Sequence, residues 1–199
     1  MKSNDPLVKR GANILSAWDR MANADSRGAV LFMEWLQGMK RKVFSDKWSA
    51  NKPWSTPTIL ADNDKALKSL IDACQLVLAR YEKLDVSYGD VYRLKVGKYD
   101  EPASGQSGYP GSFRVVGYTK GKDNKYTAVH GDTYVSVMEF AKDSVKAKGL
   151  LSYGNASEPT SLHRGDQLPM FARNQWRDIY LDRSDVEKHE KSRKTLNRK

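Results

Sequence analysis

Apolar positions in the first part of the chain recur every three or four residues, which is the period of an amphipathic helix. Asp5 and Pro6 precede the first stretch, and proline suits the first turn of a helix. A second stretch follows the polar link at residues 24–26, where Asp25 or Ser26 can cap the helix. Two helices joined by a short polar link predict a helical hairpin. The apolar faces are Val8, Gly11, Ala12, Leu15, Trp18 and Ala22, and then Ala29, Phe32, Trp35, Leu36 and Met39.

The clearest helical pattern begins after an irregular, tryptophan- and proline-containing segment at residues 45–61. Residues 62–64, Asp-Asn-Asp, provide its cap. Cys74 falls on the apolar stripe of this helix, so we expect it to be a buried small hydrophobe and not a nucleophile. The stripe consists of Leu67, Leu70, Ile71, Cys74, Val77, Leu78 and Tyr81.

The second half of the chain changes from helical to alternating patterns. Glycines punctuate a loop-rich region from about residue 86 onward. Residues 113–118 and 126–130 are rich in β-branched and aromatic residues and predict two short strands. Residues 133–140 and 145–153 alternate between two faces and predict an antiparallel hairpin.

Helical signals return after a polar, proline-containing loop. We predict a helix near residues 165–176, and Ser184 with Glu187 forms a capping box that opens a basic terminal helix. The order of helices, then strands, then helices indicates an α+β fold. Residues 1–85 are predicted to be a helical segment and residues 86–199 to be antiparallel β hairpins with C-terminal helices. The two together make one incomplete domain.

The composition limits the choice of function. The 199 residues carry a formal net charge of +10, concentrated in residues 183–199 and in Lys40-Arg41-Lys42. No RNP, zinc-finger or Gly-x-x-Gly pattern accompanies these clusters, so we expect solvated helix ends and keep a basic nucleic-acid-binding protein as an alternative. One cysteine excludes an internal disulfide. We find no apolar run of membrane-spanning length and no signal-peptide core, and expect neither a membrane partner nor an export signal of the chain's own.

Two histidine–aspartate pairs are the candidates for chemistry: His130 with Asp132, and His163 with Asp166. A carboxylate beside an imidazole orients a general base, but the same pair more often makes an ordinary loop hydrogen bond. No serine lies in a Gly-x-Ser-x-Gly elbow, and three scattered histidines do not predict a zinc site. We therefore expect no metal and no cofactor, and spacing alone defines no active site.

Several segments, in a fixed order, resemble sequences of the penicillin acylase family. Residues 15–19, Leu-Ser-Ala-Trp-Asp, come first and residues 24–29 follow. Residues 111–116 and 130–135 look like the stretches around its late strands. Residues 150–171 closely resemble its C-terminal signature, with Gly154, Asn155, Ala156, Ser157, Ser161, His163, Asp166 and Gln167. The subgroup looks like the acylases of aculeacin and acyl-homoserine-lactone type.

The resemblance implies the C-terminal portion of an αββα N-terminal nucleophile hydrolase. Such enzymes cleave linear N-acyl amides, such as penicillin, acyl-homoserine lactone or lipopeptide side chains. Their β chain begins with a serine whose α-amine acts as the base, and an asparagine with a backbone N–H stabilises the oxyanion. Those groups lie earlier in the β chain, so no catalytic residue is assigned here and the chain alone is expected to be inactive. Its expected partners are the remaining α and β portions of a periplasmic or secreted enzyme.

The matched residues are expected to be structural. Gly131 and Gly154 would allow turns at strand ends, and the other residues would satisfy the loop and tie it to the next helix. These residues are His130, Gly131, Asp132, Gly154, Asn155, Ser161, His163, Asp166 and Gln167. The strands at Phe113, Thr133 and Val145 would expose β edges where the rest of the enzyme is missing. A stand-alone binding or scaffold domain without catalysis is the other alternative.

Overall fold

The computed structural model describes residues 5–39, 43–108, 114–142 and 144–196. Phe113 and Lys40-Arg41-Lys42 therefore lie outside the described residues. The chain packs as two compact units that interleave in sequence. The first unit is Met1–Arg93 with Pro102–His130, and the second is Leu94–Glu101 with Gly131–Lys199. The predicted division at residue 85 into parts of one incomplete domain stays a prediction.

Three helices form the first part of the first unit. Helix α1 spans Pro6–Ala17, α2 spans Ala29–Met39 and α3 spans Asn63–Tyr81. Asp5 and Asp62 cap α1 and α3 by accepting hydrogen bonds from backbone N–H groups within the first turn. Both α1 and α2 pack against α3 more extensively than against each other. The predicted two-helix hairpin is therefore part of a three-helix arrangement.

The closest helix contacts in this arrangement occur at small residues. Cys74 of α3 is fully buried, as predicted. Its Sγ lies so close to Gly11 of α1 that a Cβ added at residue 11 would overlap it. Gly38 of α2 similarly faces Ser69 of α3. The buried face of α3 therefore includes small residues that the predicted stripe left out, namely Ala66, Ser69 and Ala73. Small side chains at these positions allow α1 and α2 to approach closely.

The start of α2 differs from the prediction. Gly28, and not Asp25 or Ser26, immediately precedes the helix, and its carbonyl accepts a hydrogen bond from the Phe32 N–H at 3.0 Å. A side chain at Gly28 would overlap the Trp18 indole, which packs on Phe32 with a centroid distance of 5.0 Å. The aromatic contact therefore takes the space that a capping side chain would need.

The region after residue 86 contains regular structure that the sequence interpretation missed. Helix α4 spans Tyr88–Val91, strand β1 spans Tyr92–Val96 and β2 spans Tyr99–Pro102. Strand β4, Tyr126–Gly131, follows its predicted position closely, whereas β3, Val116–Lys120, lies two to three residues later than the predicted strand at 113–118. The four strands form a sheet in the order β2-β1-β4-β3.

The pairing of β1 with β4 corrects the expectation of antiparallel strands throughout. These two strands run parallel, with Tyr92 opposite Tyr126 and Arg93 opposite Thr127. More than thirty residues separate the partners along the chain, so no local turn signal reports the pairing. The α+β class is nevertheless correct, because helices and largely separate strands make up the chain.

The second unit is built on the predicted antiparallel hairpin. Strand β5 spans Tyr134–Phe140 and β6 spans Val145–Leu151, paired from Tyr134↔Leu151 to Phe140↔Val145. A third strand that was not predicted, β7 at Arg177–Ile179, pairs antiparallel with the other edge of β6. The strand at Val145 is therefore central and not a free edge, which corrects that expectation. Strand β5 is an edge.

Two short helices differ from their predicted bounds. Helix α5 spans only Leu168–Ala172, because the chain leaves helical geometry at Arg173 to enter β7. Helix α6 spans Arg183–His189, with Asp182 and not Ser184 at the N-cap position and no side-chain cap bond. The predicted capping box is therefore wrong. No helix of the described residues has the length and apolarity needed to cross a bilayer.

A buried carboxylate joins three elements of the first unit. Glu34 of α2 is 8% exposed and accepts from Arg80 of α3 at 2.9 Å and from the Tyr126 hydroxyl of β4 at 3.1 Å. The Tyr92 ring stacks between Tyr126 and Tyr88, at centroid distances of 4.7 and 4.2 Å. Burial raises the pKa of Tyr92 well above its ordinary value, and the nearby Tyr126 and Glu34 add to the shift. The Tyr92 hydroxyl therefore stays protonated. Burial also raises the pKa of Tyr126, whose hydroxyl donates to Glu34.

We predict that Arg80→Met lowers the free energy of unfolding by about 2–3 kcal/mol, because it leaves the Glu34 charge buried without its cation. Urea denaturation followed by circular dichroism measures the change. Arg183→Met is the matched control, since its ion pair with Glu187 is exposed and contributes little. Equal effects of the two substitutions would contradict the assigned importance of Glu34.

Candidate functional site

The two predicted histidine–aspartate pairs have different surroundings. His130 is an exposed residue of β4, and its imidazole lies over Gly117 of β3, where any side chain would collide with the ring. Asp132 uses its backbone carbonyl to accept from the Ser152 hydroxyl. Gly131 ends β4 without a left-handed backbone, so the flexibility expected of it is not required there. The structural role expected of His130 and Asp132 stays a prediction.

The loop between β6 and α5 closes on itself through two glycines. Gly154 has φ +79°, and its N–H donates to the Leu151 carbonyl at 3.0 Å. Gly165 also has φ +79°, and its N–H donates to the Tyr153 carbonyl at 2.9 Å. A Cβ at Gly154 would overlap the backbone carbonyl of His163. Only glycine fits a left-handed turn packed this closely against another backbone segment. We call residues 154–167 the motif loop.

His163 and Asp166 meet within the motif loop. His163 Nδ1 lies 3.0 Å from Asp166 Oδ2, and the two side chains are 68% and 32% exposed. The Ser161 hydroxyl oxygen accepts from the His163 N–H at 3.1 Å, whereas Asn155 is exposed. Among the described residues, no hydroxyl or thiol hydrogen-bonds to the imidazole ring of His163, whose partner is Asp166. The pair can orient an imidazole, but it lies on the surface rather than in a closed pocket.

Gln167 connects the motif loop to the hairpin. Its side chain is 5% exposed, and Oε1 accepts from the Leu151 N–H of β6 at 3.0 Å. Gln167 also occupies the N-cap position of α5, so one residue holds a strand end and a helix start. Ser152 has a related role that the sequence interpretation missed. It is fully buried and bonds Asp132 and Thr133 through its hydroxyl and its N–H.

Two surface clefts lie in the first unit, and neither contains a motif-loop residue. One has a volume of about 410 Å³ and the other about 400 Å³. The first is lined by Ile14, Ala17, Trp18, Asp19, Asp25, Ser26, Arg27, Gly28 and Asp85. The second is lined by Arg80, Tyr81, Val86, Asp90, Val91, Arg93, Asp123 and Lys125. No group of three metal-ligating side chains occurs among the residues described.

The electrostatics of Cys74 and Tyr81 do not favour nucleophilic chemistry. Burial raises the pKa of the Cys74 thiol, and Asp5 raises it further. The thiol therefore stays protonated and inaccessible. Burial also raises the pKa of Tyr81 to about 12, with Glu34 contributing in the same direction. Its hydroxyl remains a donor, to the Asn124 carbonyl at 2.8 Å.

We predict that Gly154→Ala lowers the free energy of unfolding by about 2–4 kcal/mol, because the new Cβ meets the His163 carbonyl in a left-handed backbone. Gly97→Ala is the matched control. Its φ is also positive, at +57°, but the space around it is open, so we expect a loss of about 1 kcal/mol. Denaturant melts of both variants provide the comparison. Similar losses in the two variants would contradict this prediction. They would show that the contact of the new Cβ with the His163 carbonyl adds nothing to the cost of a left-handed backbone.

Comparison with known proteins gives consistent matches. The chain is 30% identical over 170 residues to the acyl-homoserine lactone acylase PvdQ of Pseudomonas fluorescens. The aligned residues cover 81% of this chain and 22% of that relative. It is 30% identical over 196 residues to the aculeacin-A acylase of Actinoplanes utahensis, covering 92% of the chain and 24% of that relative. The chain thus spans about a quarter of the length of the curated relatives it matches.

A thermostable penicillin G acylase from Alcaligenes faecalis aligns with 100% of this chain and 44% of that chain, at 14% identity and a TM-score of 0.49. The family model for penicillin amidase matches residues 2–188. This match confirms the resemblance carried by the sequence segments. The chain belongs to the penicillin amidase family.

Proposed function

We propose that this chain forms the C-terminal part of the β chain of an amidohydrolase that cleaves linear N-acyl amides. It contributes strands and scaffold to that enzyme and not the nucleophile. The observation that carries the proposal is the difference in coverage. The matches cover 81% and 92% of this chain but only 22% and 24% of the two relatives. More than three quarters of each relative therefore has no counterpart here.

The proposed division of labour follows from the chemistry. Amide hydrolysis in this enzyme class needs a serine whose free α-amine, with a pKa of about 8, accepts the proton. It also needs preorganised donors for the oxyanion. In our proposal these groups come from the part of the enzyme that this chain does not match. The buried Cys74 and the surface-exposed His163 support this assignment, because neither is placed as an activated nucleophile or its base.

The motif loop has a structural role in the proposed enzyme. Gly154, Gly165 and Gln167 fix the path from β6 to α5 through backbone and side-chain hydrogen bonds. We propose that this fixed path shapes the floor or wall of the acyl pocket indirectly. The substrate class includes penicillin, acyl-homoserine lactone and lipopeptide-type side chains, in keeping with the names of the relatives. The complete enzyme is proposed to act in the periplasm or outside the cell.

A chimera tests the proposal. The acceptor is the aculeacin-A acylase of Actinoplanes utahensis from which the segment matched by this chain has been deleted. We predict that this chain alone and the acceptor alone do not release the acyl group of aculeacin A. The acceptor with this chain inserted in place of the deleted segment should release it. Chromatographic detection of the freed fatty acid is the measurement.

Two outcomes of the chimera test would contradict the proposal. Hydrolysis by this chain alone would place the nucleophile within it and overturn the scaffold role. A soluble chimera without activity would favour a stand-alone, non-catalytic domain instead.

The variant chimera with His163→Ala should retain its turnover number, because the imidazole is not the base. A chimera with Asp166→Ala that assembles normally but loses turnover would contradict the structural role of the motif loop.

A further inference from the structure

Strand β5 is a free sheet edge in the part of the chain that the structure describes. Its one neighbour is β6, and its other edge has no paired strand. The strand is seven residues long, and Glu139 is its one charged residue. It contains no lysine and no proline. Exposed edges of stable monomers are usually protected by such residues, by bulges or by a covering element. Strand β5 therefore has the character of an edge that is covered in the working protein.

One face of the hairpin exposes large apolar side chains, although Ala147 and Gly149 of β6 are buried on it. The register places Tyr134, Ser136, Met138 and Phe140 on the same face as their partners in β6. On this face Tyr134, Met138, Phe140 and Val145 are 54%, 53%, 77% and 37% exposed, although all four are large and apolar. We call these four residues the apolar hairpin face. Exposed apolar patches of this kind mark sites of association.

The opposite face is charged and exposed from Val137 to Glu139, whereas Val135 is half-buried and its partner Leu150 is buried at the other end of this face. Glu139 lies opposite Lys146 there, and Lys148 lies opposite Asp178 of β7 with an ion-pair distance of 3.6 Å. Val137 is the exposed apolar residue of β5 on this side. The two faces of one strand therefore differ, and the difference allows matched substitutions at neighbouring positions.

We infer that the free edge of β5 and the apolar hairpin face dock a β strand from the part of the penicillin amidase polypeptide that this chain does not match. The inference rests on the proposed function. More than three quarters of the length of each of two relatives lies outside the matched segment, which covers 22% and 24% of them. A strand of alternating pattern supplies both requirements, because its backbone pairs with the open edge and its apolar side chains cover the exposed face.

A strand of the same enzyme suits this surface better than a second copy of the chain. The chain carries a formal net charge of +10, so two copies repel each other at moderate ionic strength. A helix would cover the apolar face but would leave the backbone groups of the β5 edge unpaired. An added strand satisfies the edge without bringing two basic chains together.

The test measures binding in trans between this 199-residue chain, carrying an affinity tag, and the acceptor with its matched segment deleted. We expect Met138→Lys and Phe140→Lys to weaken binding by at least about tenfold, because each places a charge in the docked face. Val137→Lys is the matched control. It introduces the same charge at a similarly exposed neighbouring position, 56% against 53%, but on the opposite face, and we expect a change of less than about threefold. Circular dichroism of each variant confirms its fold.

The outcomes separate this inference from the proposed function. Binding by the unsubstituted chain that all three variants retain would overturn the docking surface and leave the proposed function intact. If the unsubstituted chain fails to bind and sedimentation shows a dimer lost in Met138→Lys, the occupant is a second copy and the inference is wrong. If it fails to bind and remains a monomer, the proposed function fails, and the docking inference with it.

Discussion

The constraint on which both units depend is that backbone N–H and C=O groups must find partners. Several irregular segments of the chain are explained by it. Asp46 accepts from the N–H groups of Thr58 and Ile59 and thereby holds the two ends of the tryptophan-containing segment together. Gln167 plays the same part for the end of β6. Strand β5 is an edge strand, as are β2, β3 and β7, and the inferred partner strand would supply the outer backbone groups of β5 with partners.

Within the first unit the constraint is combined with a buried charge. The buried Glu34 carboxylate takes its partners from Arg80 and the Tyr126 hydroxyl, so α2, α3 and β4 have to keep their relative positions. The stacked rings of Tyr88, Tyr92 and Tyr126 fill the space beside it with apolar surface. In this arrangement the partners of the Glu34 carboxylate are protein groups. It has the character of a scaffold and not of a substrate pocket.

The sequence predicted the elements whose signals are local. Asp5 and Asp62 mark the starts of α1 and α3 because caps act within one turn, and alternation identifies β5 and β6. Strands β1 and β2 were missed because they are short and glycines flank them. The parallel pairing of β1 with β4 depends on contacts between distant residues and has no local signature. The start of α2 was predicted wrongly because the contact of Trp18 with Gly28 overrides the available caps.

The candidate site was accessible to sequence reasoning only in part. The family resemblance singled out the motif loop, but its backbone closure and the bond from Leu151 to Gln167 are three-dimensional facts. Ser152 carried no signal beyond its place at the end of an apolar run, although it is fully buried and donates two hydrogen bonds. From residue types alone, His163 with Asp166 could be either an oriented general base or a pair on the surface. The exposure of the two side chains places the pair on the surface and not in a closed pocket.

The central claim is that this chain supplies the scaffold of an acylase whose nucleophile lies elsewhere in the enzyme. The most direct test is to determine the DNA sequence around the coding region of this chain in its source organism. The account predicts an adjoining reading frame, continuous with this one or separate, that encodes the remaining acylase with a serine at the start of its β chain. Absence from the genome of any such acylase sequence would contradict the claim and leave a stand-alone domain of the family.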